Sequence, residues 1–334
     1  MSGPAAARPA GPRVRPPLLQ VRDLCVEFDS GTRKVDAVRG VTFTLDERGR
    51  LGIVGESGCG KSTAVLAMMG LLPPNAEVSG QVLLDGVDIL AGGDAGMRRH
   101  RWCDIAMVFQ GAMNAFNPVR TVGEQIAEPI RLHQNSSRRQ AAERVRELLE
   151  LVGIGAQRAA HYPHEFSGGM RQRAALAMAL ACGPKVLLAD EPTTALDVIV
   201  QAEVLELLRN VTDQLGVALV FISHDLPAVA QVAERVAVMY AGRIVEEGPV
   251  STLLTDARHP YTTALVSAIP NPLSDAGMCS IPGEPPRLDA PFAGCPYAPR
   301  CPSAHDVCRE LEPPATFDGV RTVACHLVST TEVH

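Results

Sequence analysis

The chain has 334 residues, 46% of them hydrophobic, with nine cysteines and a formal net charge of -6. That length suits a folded domain plus an appendage, and the acidic balance argues against general affinity for nucleic acid. No apolar run approaches the ~20 residues needed to cross a bilayer, so any contact with a membrane is expected to go through a partner.

Residues 1–17 carry arginines and five prolines but no apolar stretch of the kind a secretory signal needs. They read as a disordered leader, and the protein is expected to remain in the cytoplasm. Short apolar runs then alternate with helical patterns, which predicts an α/β unit with a largely parallel sheet. Residues 51–54 (LGIV) read as a buried strand and lead into GESGCGKS, residues 55–62. A helix is expected to follow and to run until Pro73 and Pro74. This is a complete P-loop in its proper strand–loop–helix setting. Its glycines let backbone N–H groups close around phosphates, and the helix N-terminus adds a favourable dipole. Gly55, Glu56, Ser57, Gly58, Cys59, Gly60, Lys61, Ser62 and Thr63 are therefore assigned to ATP binding. Lys61 would reach the β- and γ-phosphates, and the Ser62 hydroxyl would bind Mg²⁺.

Further along, IAMVFQ forms a strand-like run ending at Gln110, and Ala141, Val145, Leu148, Leu149 and Val152 repeat at helical spacing before a stop at Gly153. FSGGMRQR, residues 166–173, leads into an alanine-rich helix. KVLLADE, residues 185–191, is a buried strand ending in two carboxylates. There Asp190 can hold Mg²⁺ through its water shell and Glu191 can polarise an attacking water as general base. TALD follows at residues 194–197, and the strand VALVFIS ends directly before His224. Residues 236–240 and 243–247 flank Ala241 and Gly242 as a hairpin.

FSGGMRQR resembles the signature sequence of ABC ATPases, and its position between a P-loop and an acidic strand end strengthens the likeness. The resemblance covers roughly residues 18–255 and implies a P-loop ABC-type nucleotide-binding domain with a helical subdomain at about 111–182. It implies that Gln110 contacts Mg²⁺ and the attacking water, that Asp197 belongs to the D-loop, and that His224 contacts the γ-phosphate. Ser167, Gly168, Gly169 and Met170 would form a second anion cradle at a helix N-terminus, acting on the ATP of a partner ATPase. Phe166 and Met170 stand where the family more often has Leu and Gln. Phe28 is the candidate for stacking on adenine, with a core position in the first strand as the equal alternative. No room exists between Ser62 and Ser167 for the long coiled coil of DNA-acting relatives, and an intact Glu191 and His224 argue against a catalytically dead subunit.

Three segments resemble the oligopeptide/dipeptide importer branch, which also includes nickel importers. They are GAMNAFNPVRTVGEQI after Gln110, HPYTTALVSAIP at residues 259–270, and GCPYAPRCPSAHDVC with a later ACH. The resemblance implies an ATP-hydrolysing subunit that energises import of di- or oligopeptides; import of nickel or another small solute, and a non-transport ATPase, are the alternatives. It also implies a second ABC ATPase subunit (expected to be a different chain), two transmembrane permeases and an external substrate-binding protein, with the chain peripheral on the cytoplasmic face of the plasma membrane.

Twelve of the 26 prolines lie between Pro260 and Pro314, so residues 256–334 read as a loop-rich extension, separate from the P-loop unit. Cys295, Cys301, Cys308 and Cys325 are spaced C-x5-C-x6-C-x16-C, unlike the C-x2-C pairs of zinc ribbons. Four thiolates with prolines after two of them suit a 4Fe-4S cluster, while zinc and no metal at all stay open. The branch resemblance implies the 4Fe-4S cluster, with a structural role.

Overall fold

The computed structural model describes residues 16–31, 33–111, 115–194, 196–269 and 281–329. Nearly all of the expected leader, and parts of the segments at 111–126, 194–197 and 259–270, therefore lie outside the described residues. In chain order the strands are β1 (Leu19–Asp29), β2 (Lys34–Leu45), β3 (Arg50–Val54), β4 (Ala76–Leu84), β5 (Val87–Asp88), β6 (Ile105–Val108), β7 (Val186–Asp190), β8 (Ala218–Ser223), β9 (Arg235–Tyr240), β10 (Arg243–Pro249), β11 (Thr316–Phe317) and β12 (Thr322–Val323). The helices are α1 (Lys61–Met68), α2 (Gly93–His100), α3 (Val122–His133), α4 (Arg138–Leu151), α5 (Gly168–Ala179), α6 (Val198–Leu215), α7 (Leu226–Val232), α8 (Val250–Thr255), α9 (Pro260–Ser267), α10 (Asp306–Glu310) and α11 (His326–Ser329).

Two sheets share the strands. An antiparallel sheet has the order β2-β1-β4-β5, and an eight-stranded sheet has the order β11-β12-β10-β9-β3-β8-β7-β6. From β9 to β6 the larger sheet is parallel. Every residue of β6, β7 and β8 is buried, because helices cover both faces of a parallel sheet and its strands must be apolar throughout. The hairpin between β9 and β10 forms as expected. Ala241 and Gly242 both take positive φ, at 47° and 80°, the twist that a two-residue turn between antiparallel strands favours.

The helices α3, α4 and α5 pack on one another, and α5 lies against β6 of the larger sheet. Thr121 with Glu124 and Ser137 with Gln140 form capping boxes that start α3 and α4. The predicted stripe of α4 is buried at Ala141, Val145, Leu148 and Leu149, and Gly153 follows with φ 72°.

Two expectations need correction. The helix after the P-loop does not run to Pro73: α1 ends at Met68, and Gly70 turns the chain at φ 60°, since only glycine enters that left-handed region cheaply. Nor is the C-terminal extension separate. Its β12 pairs with β10, aligning Val323 with Glu246, and so extends the main sheet. Tyr261 and Tyr297 sit in the same buried cluster as Phe221 and Val238, and their rings lie 4.5 and 5.3 Å from Tyr240. The side chain of Arg321, 6% exposed, bonds Asp256 and lies near Glu246. Aromatic packing and buried arginines hold this proline-rich tail, and neither shows in its proline count. Among the described residues no helix is long and apolar enough to cross a membrane.

Candidate nucleotide site

The P-loop is wedged between two neighbouring strands. A Cβ on Gly55 would lie 2.1 Å from the Met239 carbonyl oxygen, and one on Gly60 would lie 2.2 Å from that of Ala37. Gly60 also takes φ 104°, so both positions exclude any side chain. Lys61 is buried, with Nζ donating to the carbonyl oxygens of Gly55 at 2.7 Å and Glu56 at 3.0 Å. Cys59 is buried beneath the loop, and its thiol is pushed up by that burial. Ser57, Gly58, Gly60, Lys61, Ser62 and Thr63 line an open cleft.

Across that cleft, β7 delivers two carboxylates from distant sequence. Ser62 Oγ donates to Asp190 Oδ1 at 2.9 Å. Burial pushes the Asp190 carboxyl above its ordinary value, against the Ser62 hydrogen bond, and Glu191 adds to the rise. A hydroxyl and a carboxylate are hard oxygen donors. That pair suits Mg²⁺, which binds through one or two carboxylates and the phosphates of its substrate.

Glu191 adopts φ 43°, a conformation costing a non-glycine residue roughly 1–3 kcal/mol and concentrated at functional sites. Its N–H donates to the Ile222 carbonyl at 3.0 Å, which ties the turn to β8. Three groups converge on its carboxylate. Gln110 Nε2 and Thr194 Oγ1 both donate to Oε2 at 3.0 Å, and His224 Nδ1 lies 3.3 Å from Oε1. Gln110, Glu191 and His224 line the cleft with the P-loop. Sequence reasoning placed Thr194 in the TALD motif without a role; its grip on Glu191 depends on the turn at Glu191, which leaves no spacing signal.

The signature residues form a second cleft. Ser167 caps α5 by accepting from the Met170 N–H at 3.3 Å, and Asp197 Oδ1 caps α6 by accepting from Val200 N at 3.0 Å. Ser167, Gly168, Gly169, Met170 and Asp197 line this cleft together. None of them lines the P-loop cleft. The chain thus carries two separate clefts that share no lining residue. Phe28 lines neither; it is half-buried on β1 and packs against the core of the antiparallel sheet.

Cys295, Cys301, Cys308 and Cys325 all line one small cavity, beside His259, Tyr297 and His326. The Cys295 N–H donates to the Cys308 carbonyl at 2.8 Å. Burial raises the Cys295 thiol to about 11, and it also raises Cys301 and Cys325, with neighbouring cysteines adding to each. Among the described residues no group of three or more ligand side chains is arranged to hold a metal ion.

A model of the ABC transporter family matches residues 38–194, and one of the oligopeptide/dipeptide transporter C-terminal region matches residues 245–308. The dipeptide transport ATP-binding protein DppD of Bacillus subtilis is 46% identical over 316 residues, covering 93% of this chain and 94% of that one. This chain belongs to the ABC transporter ATP-binding proteins. Another member, the oligopeptide transport ATP-binding protein OppD of Bacillus subtilis, is 46% identical to this ABC ATPase over 89% of the chain and 85% of its own length. The dimeric structure of MJ0796, a bacterial ABC transporter cassette, superposes with a TM-score of 0.62 at 27% identity, covering 70% of this chain and 98% of that one. A dimeric post-hydrolysis state of the same cassette, bound to ADP and Pi, matches equally well. The ABC ATPase described here therefore hydrolyses ATP with Mg²⁺, on a mixed α/β cassette.

Proposed function

We propose that this ABC ATPase energises the import of di- or oligopeptides from the cytoplasmic face of a plasma membrane. The observation that carries this reading is the oligopeptide/dipeptide C-terminal region at residues 245–308, joined to relatives named for dipeptide and oligopeptide transport. In this reading residues 18–255 form the ATPase domain, with a helical subdomain at about 111–182, and residues 256–334 form the branch's extension.

ATP would bind the P-loop, with backbone N–H groups and Lys61 on its phosphates, and Ser62, Asp190 and Gln110 would hold Mg²⁺. The ion would neutralise charge on the phosphates during attack. Glu191 accepts a proton from the attacking water, oriented by Gln110, Thr194 and His224, whose contacts with its carboxylate support that role. Because the signature cleft lies apart from the P-loop cleft, catalysis requires a second ATPase subunit to present its own serine and glycines to the γ-phosphate. That subunit is a different chain in this reading.

Two permeases dock on the helical face. Support comes from a groove beside α3 and α4 lined by Arg120, Glu124, Arg131 and Arg138 as well as Ala127 and Ala142, with Val119 78% exposed next to Arg120. Its charged rim and open floor offer a short helix both ionic and apolar contacts, and an external binding protein then selects the cargo.

The four cysteines are proposed to hold a 4Fe-4S cluster. Their convergence on one cavity supports this. The cluster would cross-link the extension, and it supplies no step of ATP hydrolysis.

The test is reconstitution with two permeases, a second ATPase and a binding protein of the oligopeptide/dipeptide importer kind. Peptide-dependent ATP hydrolysis and peptide uptake into vesicles are expected. Uptake of nickel without peptide would replace the cargo assignment.

A further inference from the structure

The extension reaches back to the P-loop at one residue. Arg300, in the turn before Cys301, forms a two-pronged ion pair with Glu56: Nη1 to Oε2 at 2.7 Å and Nη2 to Oε1 at 2.9 Å. The Arg300 side chain is 6% exposed and that of Glu56 22%. Arg300 is itself fixed, with Nε donating to the Pro282 carbonyl at 2.8 Å and Nη1 to Tyr240 Oη at 3.3 Å. The Glu56 backbone is held as well. Its N–H donates to Tyr261 Oη at 2.9 Å, and its carbonyl accepts from Lys61 Nζ. Each polar group of Glu56 is thus engaged, two by the extension and one by the phosphate-binding lysine.

An acidic side chain in a phosphate-binding loop is electrostatically costly even where, as with Glu56, it does not line the cleft, because the nucleotide brings several negative charges to that loop. In partly buried surroundings such repulsion is poorly screened. A planar guanidinium that engages both carboxylate oxygens cancels the charge and fixes its direction. We propose that Arg300 is a positioning residue for nucleotide binding: it neutralises Glu56 and holds the P-loop in its phosphate-binding shape. The extension is therefore part of the nucleotide site's electrostatics. This stands on the ATPase activity alone and is independent of the cargo and of what the cysteines hold.

The experiment measures the affinity of a fluorescent ATP analogue for the full chain with Arg300→Met, with Glu56→Gln, and with both. Local charge sets the expected order. Arg300→Met leaves an unopposed carboxylate and should weaken binding about tenfold. Glu56→Gln leaves an unopposed guanidinium and should tighten binding. The double variant restores neutrality and should return within about threefold of the parent. In the assembled complex KM for ATP should follow the same order while kcat changes little. A merely structural pair predicts something else: weakening in both single variants, with no recovery in the double. That pattern, or unchanged affinity in Arg300→Met, overturns the proposal. Should Arg300→Met not fold, Arg300→Gln with and without Glu56→Gln supplies the same comparison, and failure of Glu56→Gln to rescue its binding is equally decisive.

Discussion

Gln110 and Glu191 meet across the nucleotide cleft, the amide of one donating to the carboxylate of the other at 3.0 Å although 81 residues separate them. The contact places the end of β6 against the end of β7 and aims the carboxylate into the space before the P-loop. Glu191→Gln should leave the P-loop and the Ser62–Asp190 pair intact while removing the proton acceptor. ATP hydrolysis in the assembled complex should fall about 10²-fold or more, with nucleotide affinity preserved. Normal turnover in that variant would remove Glu191 from the role of base.

Gly60→Ala tests the wedge between the P-loop and β2. The added Cβ meets the Ala37 carbonyl oxygen at 2.2 Å, and the backbone sits at φ 104°. A clash with backbone combined with an unfavourable φ should cost about 2–4 kcal/mol of stability and abolish tight ATP binding. Denaturant titration alongside nucleotide binding reads both, and a variant matching the parent in both would show that the loop is far more yielding than its packing implies.

The separation of the two clefts predicts that turnover per molecule depends on pairing. At low concentration the isolated chain should hydrolyse ATP poorly, and activity should climb when the second ATPase and the permeases are added. Ser167→Arg, which fills the signature cleft, should abolish the stimulation yet leave ATP binding to the same chain's P-loop unaltered. A high rate that is independent of concentration in a demonstrated monomer would contradict a composite site.

Anaerobically purified protein should be brown, with iron and acid-labile sulfide in near-equal amounts, and air should bleach it. Cys301→Ser should reduce the iron content and speed proteolysis beyond about residue 260. Reading the extension as a separate unit would make ATP binding indifferent to such a change. With Arg300 adjacent to Cys301 and bonded to Glu56, weaker ATP binding is the expected result. Colourless anaerobic protein with stoichiometric zinc would overturn the cluster while leaving the ATPase untouched.

His259 makes stability depend on pH. It is 1% exposed, and burial lowers its pKa to about 4; its Nδ1 accepts from the Tyr261 N–H at 3.0 Å, which requires the neutral ring. The unfolded chain protonates this imidazole near pH 6.5. Between those values the unfolded state binds the extra proton, so the contribution is complete above about pH 6.5 and is lost as pH falls towards 4. The loss amounts to about 3 kcal/mol for a shift of this size. Asp190 and Glu247, whose carboxyls burial raises, act in the opposite sense. Comparing the pH profile of denaturation midpoints with that of His259→Asn isolates the imidazole, and equal slopes for the two would refute the assignment.

Residues contiguous in the chain declare their chemistry in the sequence itself. The P-loop at 55–62, the paired carboxylates after KVLLA and the serine–glycine run at 167–169 are each complete within a few residues. The physics they use, backbone N–H groups at a helix N-terminus and side chains at a strand end, is itself local. Parallel strands are legible for the same reason, since burial on both faces demands an unbroken apolar run. What only the tertiary structure decides is geometry: Thr194 gripping Glu191, three residues back, through a strained turn, the two clefts kept apart in one chain, and Arg300 reaching Glu56 across 244 positions. Ion pairs and ring contacts depend on distance in space and leave no period in the sequence. A tail judged by its prolines therefore reads as a separate appendage, although Tyr261 and Arg300 bind it to Glu56 of the P-loop.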